Sequence, residues 1–575
     1  MINSKIYDTE PVYSFKDLLN NTAERYPDNV AYKFKKNLGK KDEKIIEITY
    51  KEFREDVNKL GTALLDLGLE GKKIAVISNN RYEWCVSYLA VTIGNMIVVP
   101  LDKALPEAEI ESLIERSGVD GVIFENKFSD IFKKIKASAK TSLKYCINME
   151  LEEDSEEELS FKKLLNKGEK QLAEGKNDFT NKHVDVEKMS VLLFTSGTTA
   201  KSKGVMLSQS NICSNVSSMA CMSRMYPTDT ALSFLPLHHT FECTITFLYG
   251  IYSGITVAFC DGLRYIQSNL VEYKVSVFVA VPLVLETIYK KILKGIEDKG
   301  KTKLIKIMTK ISNGLLKVKI DVRRKLFKQI LDQLGGNIRI AYFGAAPMER
   351  ETILGYNAWG IETVQGYGLT ETSPLVSAET DKFKRPGSVG LAAVGVDVKI
   401  EDANEQGVGE IVVKGPNVMM GYYNDEEKTK EALNQGWFKT GDLGYMDKEG
   451  YIYITGRKKD VIVLKNGENI YPQEIEFLIN KIPYIVESLV YGRDGSKTEL
   501  VLGAKIVYNK EVMEEKFGTK TEEYKDIIWE EIKNINKDLS GFKRIKEIIV
   551  TDEPLEKTTT QKVKRFKELN KILSK

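Results

Sequence analysis

The segment from Phe194 to Gly204 is rich in hydroxyl and glycine residues and follows an apolar run that begins at Val191. Backbone N–H groups and short hydroxyl side chains in such a turn can surround phosphate oxygens without obstruction by bulky side chains. A Walker loop ends in Gly-Lys-Ser/Thr and opens a helix, whereas here the hydroxyls come first and Lys203 closes the turn. The bare pattern is typical of a surface loop, so its interpretation depends on other segments.

Four further segments offer groups suited to the activation of a carboxylic acid by ATP. Attack of a carboxylate on the α-phosphate joins two anions, so catalysis depends on positioned cations more than on a strong nucleophile. Glu371, in a Gly-Tyr-Gly-Leu-Thr-Glu-Thr run, can hold Mg²⁺, which typically contacts one or two protein carboxylates together with phosphates. Asp442, in a Thr-Gly-Asp turn, can accept hydrogen bonds from both ribose hydroxyls. The remaining two candidates are Arg457 and Lys562.

Together these segments resemble the adenylate-forming superfamily of acyl-CoA synthetases, nonribosomal peptide synthetase adenylation domains and firefly luciferase, over nearly the whole chain. The phosphate motif of that family reads roughly Tyr-Thr-Ser-Gly-Thr-Thr-Gly-x-Pro-Lys-Gly. This chain has Phe194, Ala200 and Ser202 where the family usually has Tyr, Gly and Pro, and Gln561 replaces the glycine that usually precedes the catalytic lysine. Because alanine is less permissive than glycine, the last bend of the loop is expected to be stiffer.

The resemblance implies a role for each matching residue. Glu371 and Thr195 are expected to hold Mg²⁺, and Lys562 is expected to bridge the substrate carboxylate and the α-phosphate during catalysis. His239, in a Pro-x-x-His segment, is expected at the acyl pocket. The residues expected to bind the nucleotide are Thr195, Ser196, Gly197, Thr198, Thr199, Lys203, Gly344, Ala345, Ala346, Gln365, Gly366, Tyr367, Gly368, Thr370, Asp442 and Arg457. Among them, the resemblance implies that the turn from Gly344 to Ala346 borders adenine and the acyl pocket and that Tyr367 lies on adenine.

The resemblance also implies a second half-reaction, in which coenzyme A takes up the acyl group as a thioester. A small C-terminal domain is expected to rotate about a hinge at Lys459, withdraw Lys562 and open a channel for the thiol. Such gating is a conformational step that can limit turnover.

The acid is expected to be a medium- or long-chain fatty acid, because the segments around His239 and Pro282 resemble the long-chain fatty acyl-CoA synthetase branch. Three alternatives stay open. The chain can charge an acyl carrier protein, act on an aryl or branched acid, or be a nucleotide- or acyl-binding protein with degraded catalysis.

Apolar, β-branched runs such as Gly121 to Phe124 and Ile338 to Phe343 alternate with helical patterns, which predicts an α/β fold with mainly parallel sheets flanked by helices. By resemblance the chain divides into a large N-terminal domain, residues 1–456, and a small mobile α+β domain, residues 457–575. Tyr82 to Ile93 is predicted to be a connecting helix. The acidic run from Glu152 to Glu158 and the polar sequence up to Lys188 are predicted to form a solvated excursion.

Two segments raise the question of membrane contact. Cys243 to Cys260 carries no charge, but glycines break it, so a buried helix followed by a strand is favoured over a membrane span. Lys290 to Leu334 is rich in lysine, with apolar residues at helical spacing. A surface helical hairpin covering the sheet is the favoured interpretation, and peripheral contact with a membrane surface is the alternative.

Composition narrows the functional class. The 575 residues include 84 Lys and Arg against 82 Asp and Glu, a net charge of +2 that offers no field to attract nucleic acid. The six cysteines show no Cys-x-x-Cys spacing, and the start of the sequence has no signal-like apolar stretch. We therefore expect a cytoplasmic protein, with the inner face of the membrane as an alternative site of attachment.

Overall fold

The computed structural model describes residues 2–138, 140–195, 202–464, 469–494, 500–557 and 563–574. These residues form an α/β protein with two large, mainly parallel sheets, as the alternation of apolar runs predicts. A third sheet follows them, and smaller sheets lie near the C-terminus. Ser196, Gly197, Thr198, Thr199 and Lys562, all predicted to be site residues, lie outside the described residues.

The largest sheet has nine strands, most of them parallel. The strands at its centre are short and fully buried, which is why they appear in the sequence as continuous apolar runs. In order across the sheet, the strands are Leu391–Ala392, Leu375–Ala378, Glu362–Gly368, Ile340–Phe343, Val277–Ala280, Thr230–Ser233, Thr256–Phe259, Val30–Lys36 and Lys44–Thr49.

The second large sheet has eight strands. Its central strands are parallel, and an antiparallel hairpin near one edge joins Met189–Thr195 to Lys203–Ser208. In order across the sheet, the strands are Gly421–Tyr422, Lys203–Ser208, Met189–Thr195, Ile97–Pro100, Lys73–Ile77, Gly121–Phe124, Tyr145–Asn148 and Leu159–Ser160.

The remaining strands form three smaller sheets. A five-stranded antiparallel sheet contains Asp397–Glu401, Gly409–Lys414, Trp437–Met446, Leu433–Asn434 and Ile452–Arg457. A two-stranded sheet pairs Ile462–Val463 with Asn469–Ile470. The C-terminal sheet consists of Ile485–Asp494, Leu500–Tyr508 and Glu547–Thr551.

Helices cover the sheets. The α-helices are Phe15–Arg25, Tyr50–Asp66, Tyr82–Ile93, Glu107–Ser117, Ser129–Ala137, Phe161–Ala173, Gln209–Met222, Thr240–Glu242, Tyr249–Ser253, Ile266–Glu272, Pro282–Asp298, Thr302–Lys317, Arg323–Leu326, Lys328–Leu331, Arg350–Ala358, Glu426–Ala432, Pro472–Ile479, Lys510–Phe517, Tyr524–Asp538 and Arg565–Leu573. A π-helix spans Cys243–Leu248, and 3₁₀ turns span Asn126–Phe128, Leu263–Tyr265, Asp332–Leu334, Thr370–Thr372, Lys458–Asp460, Thr521–Glu523 and Gly541–Lys543.

The prediction of a solvated excursion from Glu152 to Lys188 is wrong for much of that segment. It contains the helix Phe161–Ala173, whose Gly168 lies so close to the helix Tyr50–Asp66 that a Cβ would lie 1.8 Å from the carbonyl oxygen of Lys59. Glu158, at the end of the acidic run, is buried and accepts a hydrogen bond from Asn148 at 2.8 Å. A few buried residues in a mostly polar sequence thus pack this segment against the rest of the protein.

The uncharged segment from Cys243 to Cys260 is core, as predicted. It forms the π-helix, the helix Tyr249–Ser253 and the strand Thr256–Phe259, and Gly254 ends the helix with a left-handed backbone at φ 66°. Of the helices in the described part of the chain, none combines the length and apolar character needed to cross a membrane. The predicted domain boundary at residue 456 stays a prediction.

Candidate active site

Two neighbouring parallel strands of the nine-stranded sheet, Ile340–Phe343 and Glu362–Gly368, end at the same edge. Gly344, Ala345 and Ala346 directly follow the first strand, and the two alanines are exposed. In open α/β sheets, ligands bind outside the carboxyl ends of the strands. The sheet therefore brings the two sets of residues predicted to border adenine to one edge.

The backbone at this edge is closely packed because glycines occupy the contact points. A Cβ at position 344 would lie 2.8 Å from the carbonyl oxygen of Gly366 and 3.5 Å from the ring of Phe241. At position 368 a Cβ would lie 1.8 Å from the carbonyl oxygen of Pro374. Side chains at positions 344 and 368 would therefore collide with backbone, which leaves a smooth surface that a flat base can approach.

Gln365 lies within the strand Glu362–Gly368, and Thr370 follows its end. Gln365 is buried, and its backbone N–H donates to Glu379 at 3.1 Å. Thr370 begins the 3₁₀ turn that carries Glu371. The strand and the turn thus place both residues beside the predicted adenine and metal positions.

Tyr367, Asp442 and Arg457 form one hydrogen-bonded group. The hydroxyl of Tyr367 donates to Oδ2 of Asp442 at 2.7 Å, and Nε of Arg457 lies 2.8 Å from Oδ1. Asp442 and Arg457 occupy paired positions on adjacent antiparallel strands. Burial, together with the charge of Asp442, raises the pKa of Tyr367 well above its usual value. A neutral tyrosine thus orients a buried carboxylate where the sequence predicts the ribose.

Thr195 and Lys203 face each other at the end of the antiparallel hairpin. The side chain of Thr195 donates to the carbonyl oxygen of Lys203 at 3.5 Å. Gly204 is tightly surrounded, since a Cβ there would lie 3.1 Å from atoms of both Leu192 and Tyr423. The two strands that flank the predicted phosphate-binding residues therefore form a packed hairpin stem.

Tyr422 connects this hairpin to Glu371. Its hydroxyl donates to Oε1 of Glu371 at 3.0 Å, and Nζ of Lys203 lies 4.7 Å from the centre of its ring. Tyr422 also pairs with Val205 on the hairpin strand, which fixes its backbone beside the phosphate loop. One buried tyrosine thus brings the predicted phosphate-binding lysine and the predicted metal-binding glutamate together.

The donor set at Glu371 suits Mg²⁺. Tyr422 occupies Oε1, and no hydrogen bond to Oε2 is found among the described residues. A single carboxylate beside a phosphate site is the usual protein contribution to a magnesium ion that keeps several waters. Across the described chain, three or more His, Cys, Asp or Glu side chains never cluster in a way that could hold a metal ion.

We expect a Tyr422→Phe variant to need about fivefold more Mg²⁺ for half-maximal activity, because a hydrogen bond of this kind contributes roughly 1 kcal/mol. The measurement is pyrophosphate release at graded Mg²⁺ concentrations. Tyr423→Phe is the matched control, because its hydroxyl accepts from Lys73 at 3.2 Å and does not contact Glu371. An equal change in both variants would contradict a role for Tyr422 at Glu371.

His238 and His239 begin the segment predicted to line the acyl pocket. His238 lines a narrow apolar cavity, and its Nε2 lies 3.6 Å from Oδ2 of Asp102. Burial lowers the pKa of His238. His239 precedes the helix Thr240–Glu242, and its carbonyl oxygen accepts from the backbone N–H of Cys243 at 3.0 Å. The placement of His239 at an acyl pocket stays a prediction. The cavity is lined by Tyr88, Pro100, Val191, Leu193, Ile212, Leu237, His238, Thr240, Cys243 and Thr244.

Lys459 lies in the 3₁₀ turn that follows the strand carrying Arg457. Desolvation lowers its pKa, opposed by the nearby Asp460, and the positive charge of Arg457 lowers it further. This turn connects the five-stranded sheet to the C-terminal elements. Its assignment as a hinge stays a prediction.

The segments on either side of Lys562 are firmly attached. Lys557 and Val563 form an isolated antiparallel bridge, and the backbone N–H of Lys564 donates to Glu556 at 2.7 Å. Arg565 donates to Oε1 of Glu476 at 2.6 Å and to the carbonyl oxygen of Val490 at 2.8 Å. The two residues that bound the segment with the predicted catalytic lysine thus pair with each other, and Arg565 joins the chain that follows to the helix Pro472–Ile479 and the strand Ile485–Asp494.

Comparison with known proteins identifies the family of the chain. The model of the AMP-binding enzyme family matches residues 19–423, and the model of its C-terminal domain matches residues 459–572. The chain belongs to the AMP-binding enzyme family. This AMP-binding enzyme is 31% identical over 484 residues to long-chain-fatty-acid–CoA ligase 6 of Mus musculus, which covers 79% of this chain and 69% of the mouse protein.

The chain is also similar to a plant ligase and to a ligase of known structure. The chain is 27% identical to a chloroplastic long-chain-fatty-acid–[acyl-carrier-protein] ligase of Arabidopsis thaliana, over 96% of this chain and 84% of that protein. The crystal structure of an anthranilate CoA ligase in complex with anthranoyl-AMP superposes with a TM-score of 0.76. The superposition covers 99% of this chain and 98% of the ligase. Because the two sequences are only 18% identical, this similarity supports the fold alone.

Sequence reasoning missed Tyr422. It lies 51 positions from Glu371, in a Gly-Tyr-Tyr run without distinctive periodicity. Only the pairing of Gly421–Tyr422 with the hairpin brings it to the site. Nothing in the local sequence distinguishes it from an ordinary buried aromatic residue.

Proposed function

We propose that this AMP-binding enzyme activates a medium- or long-chain fatty acid with ATP, releasing pyrophosphate, and then transfers the acyl group to coenzyme A with release of AMP. The contact of Tyr422 with both Lys203 and Glu371 carries the proposal, because it joins a phosphate-binding lysine to a metal-binding carboxylate. Similarity to long-chain-fatty-acid–CoA ligases supports the choice of acid.

In this proposal the chain positions two anions and neutralises them. Asp442 accepts the ribose hydroxyls, and Lys203 and the loop before it hold the phosphates. Lys562 bridges the acid carboxylate and the α-phosphate, where a fixed cation stabilises the charge that develops as the bond to pyrophosphate breaks. When bound at Glu371 and Thr195, Mg²⁺ supplies Lewis-acid neutralisation of phosphate oxygens.

The test incubates the protein with ATP, Mg²⁺ and carboxylic acids of graded chain length, with and without coenzyme A, and identifies products by mass spectrometry. We expect AMP and fatty acyl-CoA when coenzyme A is present. Acyl-adenylate without thioester would point to an acyl carrier protein as the acceptor, as named for the Arabidopsis relative. If thioesters form only from aryl or branched acids, the proposed substrate changes from a fatty acid to an acid of that kind. The absence of product from every acid would support a binding protein.

We further propose that the helix Thr302–Lys317 attaches this enzyme, in the cytoplasm, to the inner face of a membrane. Leu304, Ile307 and Ile311 lie at helical spacing and are each more than half exposed. Residues 290–320 contain ten lysines and two acidic residues. An apolar stripe beside lysines is the pattern by which a helix lies on an anionic lipid surface, to which each lysine contributes roughly 1 kcal/mol.

A triple replacement of Leu304, Ile307 and Ile311 by glutamine is expected to abolish co-sedimentation with vesicles of phosphatidylcholine and phosphatidylglycerol. Wild-type protein is expected to bind these vesicles and to be released by salt, because lysine attraction is screened. The matched control replaces Ile45, Leu263 and Leu354, which are also exposed but lie on other elements. Equal vesicle binding by wild type and the triple variant would refute this surface.

A further inference from the structure

Arg116 holds both stems of the hairpin that carries the predicted phosphate loop. Its Nη1 donates to Oγ of Ser202 at 3.1 Å, and its Nη2 donates to the carbonyl oxygen of Ser202 at 2.6 Å. Its guanidinium also lies 5.4 Å from the centre of the Phe194 ring. Phe194 and Ser202 lie on opposite sides of the loop, so a single side chain spans its base.

The helix that carries Arg116 is a rigid support for these contacts. Its buried residues Ile110, Leu113 and Ile114 belong to the same hydrophobic cluster as Leu192 on the hairpin, with Phe194 packed against that cluster. Arg116 itself lies in the last turn and is exposed, where a cation also interacts favourably with the helix dipole. The helix and the hairpin therefore share one core, and Arg116 adds a polar connection at its outer edge.

The two residues that Arg116 contacts are departures from the family motif, which usually has Tyr at position 194 and Pro at position 202. Proline restricts φ and stiffens the chain, whereas serine does not. Serine in turn supplies a hydroxyl that accepts one of the two hydrogen bonds from Arg116. The guanidinium fork can restrain both the side chain and the backbone at this position.

We propose that Arg116 is a positioning residue that takes the place of the missing proline by fixing Ser202 and Phe194, the residues that flank the segment predicted to bind the phosphates of ATP. This inference rests on the proposed function only in that the hairpin binds the phosphates of ATP. It does not depend on which acid or which thiol the enzyme uses. Arg116 acts through Ser202 and Phe194 and is assigned no contact with ATP.

The test measures the dissociation constant of ATP with Mg²⁺ by calorimetry, and the KM for ATP in pyrophosphate release. An Arg116→Ala variant is expected to raise both by about fivefold to tenfold, because it loses two hydrogen bonds from a charged donor at an exposed position. The KM for the acid and the KM for coenzyme A are expected to stay within about twofold, because neither substrate contacts the loop stem in the proposed site.

Rescue by proline is the decisive measurement. The Arg116→Ala/Ser202→Pro variant is expected to recover about twofold to fivefold of the lost ATP affinity, because a compatible proline contributes roughly 0.4–1 kcal/mol. Arg116→Lys is expected to be intermediate, because lysine lacks the planar fork. Arg264→Ala is the matched control, since Arg264 is also exposed, lies far from the hairpin in sequence, and has its guanidinium 4.7 Å from the centre of the ring of the adjacent Tyr265.

The outcomes separate this inference from the proposed function. If wild type binds ATP but forms no thioester, the ATP affinities of the variants still test Arg116. Wild-type ATP affinity in Arg116→Ala, or the same loss in Arg264→Ala, would overturn the inference. A double variant that binds ATP no better than Arg116→Ala would also overturn it, because proline would then not replace the function of Arg116. If proline at position 202 prevents folding, the double variant Arg116→Ala/Ser202→Ala replaces it. Adding Ser202→Ala to Arg116→Ala is expected to lower ATP affinity little further, because the contact between the two residues is already lost. If the losses of binding free energy from the two single substitutions add in full, the two residues do not act together.

Discussion

Replacement of Asp442 by alanine is expected to raise the KM for ATP by about a hundredfold or more, because each hydrogen bond to a charged acceptor contributes roughly 1.5–3 kcal/mol. The variant also loses its preference for ATP over 2′-deoxy-ATP. The buried Tyr367 hydroxyl and the guanidinium of Arg457 lose their shared acceptor, which lowers the free energy of unfolding by about 1–3 kcal/mol. The measurements are the two nucleotide KM values and a denaturant titration.

The matched control is Asp229→Ala. Asp229 is also a buried aspartate paired with an arginine, since Nε of Arg339 donates to it at 2.9 Å. It precedes the strand Thr230–Ser233 of the nine-stranded sheet and therefore lies at the amino-terminal edge of that sheet, opposite the edge at which Gly344 follows its strand. We expect the Asp229→Ala variant to lose a comparable free energy of unfolding and to keep the wild-type preference for ATP over 2′-deoxy-ATP. Full preference for ATP in the Asp442 variant would contradict the assignment of this carboxylate to the ribose.

A Lys562→Ala variant is expected to slow acyl-adenylate formation by about a hundredfold to a thousandfold, because it removes the cation that the proposed function assigns to the charge developing in the transition state. Thioester formation from synthetic acyl-adenylate and coenzyme A is expected to continue at close to the wild-type rate, because the proposed function assigns Lys562 to the first half-reaction. Both half-reactions can be followed separately, by pyrophosphate release and by the appearance of acyl-CoA.

Lys564→Ala is the matched control for Lys562, because Lys564 lies two positions away and its Nζ lies 3.6 Å from Glu556. It is expected to leave both half-reactions within about twofold of wild type, since an exposed ion pair contributes little. An unchanged rate of adenylation in Lys562→Ala would contradict the catalytic assignment of Lys562 and would support the alternative of a binding protein.

Much of the fold follows from local sequence. The helix Tyr82–Ile93 has the predicted bounds, and the buried strand Gly121–Phe124 coincides with its apolar run. Such elements are predictable because burial demands uninterrupted apolar sequence. Strand ends shifted elsewhere, as at Ile340–Phe343, which starts two residues later than the apolar run.

The failures have a different cause. The helix Phe161–Ala173 is not evident from the sequence, because few of its residues are buried and an acidic run precedes it. Tyr422 and Arg116 contact the site across 51 and 86 positions of sequence, so no local pattern marks them. Motifs therefore indicate which residues meet the nucleotide, whereas the side chains that orient those residues become visible only through strand pairing and helix packing.

The packing of Gly344 has a consequence for protein engineering. A Cβ at position 344 would contact both the carbonyl oxygen of Gly366 and the ring of Phe241, so the backbone of this turn lies close to both. Phe241 belongs to the segment expected to face the acid, while Gly344 belongs to the turn expected to face adenine. A designer who enlarges or trims Phe241 to accept a new acid therefore also changes the support of the adenine turn. Altered acid selectivity at this position is expected to come with altered nucleotide affinity, and selection schemes should vary both substrates at once.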